Sequence, residues 1–344
     1  MTTPSSASIE SISRLSADWN ANATVFAHRC SRFASAPLRL AIYYGYPSLV
    51  NKARGDAARA VASFADYDIV VLGDGLEVDG VQGARGAGRE EHAFTIRLID
   101  RLQVVGRAPE VLGYIDLGRT QHLTLREITG RLAAWARMGA AGVLLDEAGY
   151  DFGVTRERQN AAVETAHAFG LAVCLNAFDP NDVFSTTPVP LNEAGGGNPR
   201  GLAPVISARD AVLIESFAFR HSTAENFELL RARTGSALAG RARFGTRVLA
   251  ISTGARCDGD ANRAHHGWWT AAVLGLDAYG WGEPAYSAAT SMLPWVPRPI
   301  AERTLGRAAY VEEPAFREHT WNRRTTLGTI VVDTMRYQGH LDQR

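Results

Sequence analysis

The segment Gly142-Val-Leu-Leu-Asp-Glu-Ala-Gly149 carries an apolar run straight into two adjacent acids, Asp146 and Glu147. A third acid, Glu215, closes a second apolar run that begins at Ala211. Carboxylates held where buried strands end can divide acid–base work. Apolar walls keep one protonated so that it donates to a leaving oxygen, and polar contacts keep the other ionised so that it attacks or activates water. Glycosidic cleavage asks for such a pair. The residue set therefore predicts Asp146, Glu147 and Glu215 as the catalytic group, with Glu215 as general acid/base and Asp146 as its partner. Consecutive strand residues face opposite ways, so Asp146 is expected to point into the mouth and Glu147 to reach the rim.

Around these acids, polar and aromatic residues recur at the ends of other apolar runs. Tyr44, Asp74, Asp116, Tyr150, Asn176, Trp281 and Glu283 are the expected substrate-binding set. Sugar rings stack on aromatic faces, so Tyr43, Tyr46, Trp268 and Trp269 are further platform candidates, with core packing as the ordinary alternative. For the acids the ordinary alternative is pairing with Arg119, Arg200 or Arg220. His265-His266 lacks metal-ligand spacing, and neither a metal nor a cofactor is expected. Lys52 is the only lysine and ends no strand, and no serine sits in a GxSxG elbow. Imine and serine-elbow chemistry are thereby set aside.

The elements that must position these residues are readable as strands Leu38–Gly45, Asp68–Asp74, Glu110–Leu117, Gly142–Glu147, Ala172–Asn176, Ala211–Phe217, Arg247–Thr253 and Gly275–Trp281. Nearly continuous apolar runs of this kind suit parallel strands covered on both faces. Helical patterns lie between them, and Thr124-Leu-Arg-Glu127 and Ser222-Thr-Ala-Glu225 both fit the capping box that opens a helix. The expected fold is an α/β (β/α)8 TIM barrel over residues 38–293, with a short N-terminal extension (1–37) and a C-terminal appendage (294–344) packed on it. Tyr46-Pro47-Ser48 after the first strand is no GxGxxG, which disfavours a doubly wound sheet. Gly83-Ala-Arg-Gly86 reads as a flexible lid or linker. The long, Pro- and Gly-rich connection from Phe178 to Asp210 is expected to lie over the mouth as a lid.

Composition excludes more than it assigns. With 36 basic and 36 acidic residues in 344, no global field attracts nucleic acid. Cys30, Cys174 and Cys257 are scattered, without disulfide or zinc spacing, and Cys174 should pack as a small hydrophobe. No run is long enough to span a bilayer. The cytoplasm is the default compartment, with secretion open if a leader has been removed.

On Ile42-Tyr-Tyr-Gly-Tyr-Pro47, Gly113-Tyr-Ile-Asp-Leu-Gly118, Gly142-Val-Leu-Leu-Asp-Glu-Ala-Gly149 and Leu213-Ile-Glu-Ser216, the chain resembles the spherulin-4-like and endo-α-1,4-polygalactosaminidase-type glycoside hydrolases. The resemblance spans residues 38–281. It implies a (β/α)8 fold, catalysis by Asp146, Glu147 and Glu215, and an amino-sugar-containing polysaccharide or oligosaccharide as substrate. Two alternatives stand beside it: a catalytically silent glycan-binding or assembly barrel that self-associates through its C-terminal appendage, and a magnesium-assisted lyase or isomerase using Asp116, Asp146, Asn176 and Glu215 as oxygen ligands.

Overall fold

The computed structural model describes residues 36–73, 75–80, 88–255, 258–284, 286, 293 and 302–343. Eight parallel strands close into a barrel: β1 (Leu38–Tyr43), β2 (Ile69–Leu72), β3 (Glu110–Asp116), β4 (Gly142–Asp146), β5 (Ala172–Asn176), β6 (Ala211–Ile214), β9 (Arg247–Thr253) and β10 (Ala278–Gly282). β1 pairs with both β2 and β10, which seals the ring. Each of the eight expected strands is present: Ala172–Asn176 and Arg247–Thr253 have the expected bounds, five others are one to three residues shorter, and the last runs Ala278–Gly282, starting three residues later and ending one residue further on. The chain is a (β/α)8 TIM barrel with additional C-terminal elements.

Strand alternation sorts the side chains into two cores. Leu40, Ile42, Ile69, Val71, Leu112, Tyr114, Leu144, Cys174, Leu213, Leu249 and Ile251 fill the barrel. Their neighbours one residue away pack outward beneath the helices. Burial pushes the Cys174 thiol up to about 12, so it stays protonated and packs as an apolar group. Cys30 and Cys257 lie outside the described residues, as does the Gly83–Gly86 loop.

The helix Leu125–Arg137 begins with the expected capping box, in which Thr124 and Glu127 satisfy each other's backbone amides. On that helix Trp135 is fully buried against β3. A Cβ at Gly113 would sit 2.1 Å from its indole, so only glycine admits it. The indole Nε1 donates to the Tyr114 carbonyl (3.2 Å), fixing the strand that carries Tyr114 and Asp116.

The second expected box does not open a helix. His221 and Ser222 have φ of 48° and 64° and form the turn of a small hairpin, β7 (Phe219–Arg220) with β8 (Thr223–Ala224). The next helix, Phe227–Phe244, is capped instead by Asn226, whose side chain accepts from the Leu229 amide. Ser222 gives its hydroxyl to Asp260, so it was never free to cap.

Beyond the barrel an antiparallel sheet, β11 (Ala315–Arg317), β12 (Thr320–Thr325), β13 (Gly328–Asp333) and β14 (Gln338–Asp342), packs on the helix Asp258–Leu274. Trp321, Ile330 and Val332 share a core with Trp268, Trp269 and Leu274. Gly339 passes so close to Trp269 that a Cβ there would lie 2.3 Å from the ring. Both tryptophans are consequently core, which removes them as a sugar platform. Among the described residues no helix is long and apolar enough to cross a membrane.

Candidate active site

Asp146, Asn176 and Glu215 each lie two residues beyond an interior barrel position (Leu144, Cys174 and Leu213), so alternation turns all three toward the barrel axis. The structure brings them together at the C-terminal mouth. Asn176 Nδ2 donates to Asp146 Oδ1 (2.7 Å) and to Glu215 Oε2 (3.0 Å), so two carboxylates from β4 and from the end of β6 share one amide group. Tyr114 OH donates to Asp146 Oδ2 (2.9 Å), and the Glu147 amide donates to Asp146 Oδ1 (2.9 Å). Burial, and then the charge of Glu215, push the Asp146 pKa above the usual carboxylate range, and the donors only partly offset this.

Two more tyrosines wall the site. Tyr286 OH donates to Glu215 Oε1, and Tyr44 packs against both Tyr114 and Tyr286 with ring centroids 5.0 and 5.4 Å apart. Burial raises Tyr44 and Tyr286 well above the ordinary phenol range, and the neighbouring acids add to it, so both stay neutral. Tyr286 comes from the turn after β10, pinned by Tyr286 N to Glu283 O (2.9 Å) and by Tyr44 N to Tyr286 O (3.0 Å). Tyr114 and Tyr286 were absent from the expected set. Tyr114 was recoverable, lying two residues before Asp116 on one strand face; Tyr286 follows no strand pattern.

The remaining expected residues are placed differently. Glu147 has φ 51°, which swings its carboxylate out of the mouth to accept from the Thr120 amide (3.0 Å) and hydroxyl. Asp116 is paired in register with Asp146 but shares no hydrogen bond with it. Asp116 is 1% exposed, and burial, with the charges of Glu147 and Asp146, lifts its pKa to about 6. The cation that senses it is Arg158, on the following helix, rather than Arg119. Tyr150 is buried behind the mouth, where Arg156 Nη2 donates to its hydroxyl (3.3 Å). Trp281 points outward to Phe219 (6.2 Å between centroids), because the inward positions of β10 are Ala278, Gly280 and Gly282. Glu283 is buried beside the Tyr286 turn. Asp74 lies outside the described residues. His266 is buried among Phe219, Tyr337 and Thr270, and burial lowers its pKa to about 4.

Behind the pair stands Arg233, 2% exposed, on the helix after β8. Its Nε donates to the Phe178 carbonyl (2.8 Å) and its Nη2 to the Glu215 carbonyl (2.9 Å), tying the ends of β5 and β6. The guanidinium lies 4.5 Å from the Phe178 ring, whose other face is exposed. The long connection after β5 is not laid across the mouth as a free lid. Asn192 Nδ2 holds the Tyr150 carbonyl (2.9 Å), Arg156 donates to the carbonyls of Val183 and Ser185, and Thr155 bridges Gly197. It is stitched to the β4 loop and the helix behind it.

Among the described residues no group of three or more His, Cys, Asp or Glu side chains is placed to hold a metal ion. Of the four oxygen ligands expected for magnesium, Asp116 shares no hydrogen bond with its register partner Asp146, and Asn176 offers its NH2 to both carboxylates.

No protein-family model matches the chain, and no curated protein matches it by sequence. Similar solved structures are TIM-barrel enzymes. An octameric ribulose-1,5-bisphosphate carboxylase/oxygenase from Pyrococcus horikoshii OT3 aligns at 14% identity and TM-score 0.42, over 72% of this chain and 52% of that one. A malate synthase from Haloferax volcanii aligns at 13% identity and TM-score 0.42, over 80% and 82%. An aldolase from Escherichia coli K12 aligns at 12% and 0.40, over 73% and 77%. The chain thus spans about half the length of the carboxylase/oxygenase it matches. The expected membership in the spherulin-4-like glycoside hydrolases is corrected by these findings: no family model supports it, and these structures are a carboxylase, a synthase and an aldolase. Trp268, Trp269, Trp281 and Tyr150 are all packed away from the acids, and the aromatic residues at the mouth are Tyr44, Tyr114 and Tyr286.

Proposed function

We propose that this barrel is a lyase or isomerase that moves a proton within one small, oxygen-rich substrate, using Asp146 and Glu215 as an acid–base pair. The observation that carries this reading is the shared Asn176 amide, which holds two carboxylates at one point with a neutral phenol on each side. Enolisation, elimination and aldol cleavage all need a base at a C–H or O–H bond and an acid at a nearby oxygen. Glu215 takes the proton. Asp146, whose raised pKa keeps it protonated further up the pH scale, returns one to the developing oxyanion. Tyr114 and Tyr286 donate to Asp146 and Glu215 and fix the two carboxylates for the transfer, and burial keeps Tyr286 neutral. The steps are written on the side chains alone, with Asn176 presenting its NH2 to both carboxylates.

A panel of small hydroxy- and oxo-acids, hydroxyaldehydes and polyols, incubated with wild type, Asp146→Asn and Glu215→Gln and read by mass spectrometry, tests the proposal. Isomerised or cleaved products from wild type alone are expected. Products that persist in both variants would remove the pair from the chemistry.

A further inference from the structure

The acid–base pair leaves open what anchors the rest of the substrate, and one arginine at the same mouth is without an assigned role. Arg220 lies on the β7–β8 hairpin that follows Glu215. The hairpin turn places two non-glycine residues, His221 and Ser222, at positive φ, where glycine or asparagine is usual. It is held there firmly. His221 N donates to Thr253 Oγ1 (3.0 Å) and Ser222 N to the Thr253 carbonyl (2.9 Å), at the last residue of β9, while Ser222 Oγ bonds Asp260.

Alternation then decides where Arg220 goes. Phe219 is buried, packing on Trp281 and His266, so Arg220 projects from the opposite face and is exposed. Its charge is felt at Tyr286, the residue that donates to Glu215. Among the described residues Arg220 forms no ion pair, whereas Arg241 and Arg247 are paired and Arg233 is spent on two carbonyls. Arg220 therefore leaves a buttressed hairpin at the end of β6 with its guanidinium exposed, on the side whose charge reaches Tyr286. A planar fork of N–H donors matches the oxygens of a carboxylate or phosphate.

We propose that Arg220 is an oxyanion-binding residue at this mouth, so that the substrate is a small anion whose carboxylate or phosphate docks on Arg220 while its reacting atoms meet Glu215 and Asp146. This rests on the acid–base reading above and narrows its substrate class. It also explains how an acidic mouth admits an anion: Arg220 compensates the charge on the strand 6–9 side.

Isothermal titration with malonate, inorganic phosphate and uncharged malonamide tests it in wild type, Arg220→Gln, Arg220→Lys and Glu215→Gln. Malonate or phosphate is expected to bind wild type, and the tighter of the two assigns carboxylate or phosphate. Arg220→Gln should weaken that anion at least about tenfold, the loss of one charge-assisted contact. Arg220→Lys should recover part of it, and malonamide should not bind. Glu215→Gln should retain anion binding, so absence of turnover with binding intact counts against the acid–base reading alone. Wild type that binds neither anion, or Arg220→Gln that binds as well as wild type with an unchanged melting curve, would overturn the assignment.

Discussion

Asp146 and Glu215, on strands separated by β5, accept hydrogen bonds from the same nitrogen, Asn176 Nδ2, at 2.7 and 3.0 Å. That single bridge makes the two acids one electrostatic unit. The Glu215 charge raises the Asp146 pKa, and the Asn176 donor lowers it.

Removing the bridge should therefore move a titration. Asn176 lowers the Asp146 pKa by donating to its charged form, against burial and the Glu215 charge that raise it. Asn176→Ala should shift the Asp146 titration upward, carrying with it the alkaline limb of the pH–rate profile. A carboxyl-carbon NMR titration reads this directly, and a downward shift would contradict it.

Tyr286→Phe deletes the phenol that donates to Glu215 Oε1 while leaving the ring packed on Tyr44. A single preorganised donor of this kind typically accounts for about 100-fold in kcat. Steady-state kinetics should show a kcat drop of that order with KM little changed. An equal kcat would exclude Tyr286 from the site.

Asp116 gives a stability prediction with a definite sign. Its folded pKa, about 6, lies above the ordinary 3.8, so ionisation disfavours the folded chain. Its contribution to stability is fully present below pH 3.8 and is lost as pH rises to about 6. Asp116→Asn should thus gain on wild type through that window, by up to about 3 kcal/mol above it. Urea unfolding at pH 4 and pH 8 checks this; a gap that fails to widen with pH would refute it.

Exhaustive chelation should leave activity unchanged. Asn176 turns its NH2 rather than its carbonyl to both acids, and among the described residues no group of three or more His, Cys, Asp or Glu side chains is placed to hold a metal ion. Activity lost to EDTA and restored by magnesium would reverse that conclusion.

The barrel was legible because its physics is local: eight apolar runs, with glycines and capping residues at their ends, leave few other folds. The positions of Asp146, Asn176 and Glu215 followed from strand ends in the same way. Trp281 was misplaced although its face could be read, since Ala278, Gly280 and Gly282 are the small residues that alternate inward. Tyr286 could not be read, because it reaches Glu215 from a turn with φ 47° that no periodicity marks. The glycoside-hydrolase likeness failed for a related reason. Gly113 is required by Trp135, and a Cβ at Gly142 would lie 2.6 Å from the Ala172 carbonyl. Short motifs built on such residues report barrel packing, which unrelated barrels share.

The most direct test of the acid–base pair is hydrogen exchange followed by proton NMR in D2O, with small 2-oxo and 2-hydroxy acids and their phosphate esters as substrates. Wild type should accelerate loss of a carbon-bound proton from at least one of them, and Glu215→Gln should abolish the acceleration. Exchange at the buffer rate with every compound, or equal exchange by wild type and Glu215→Gln, would contradict the account.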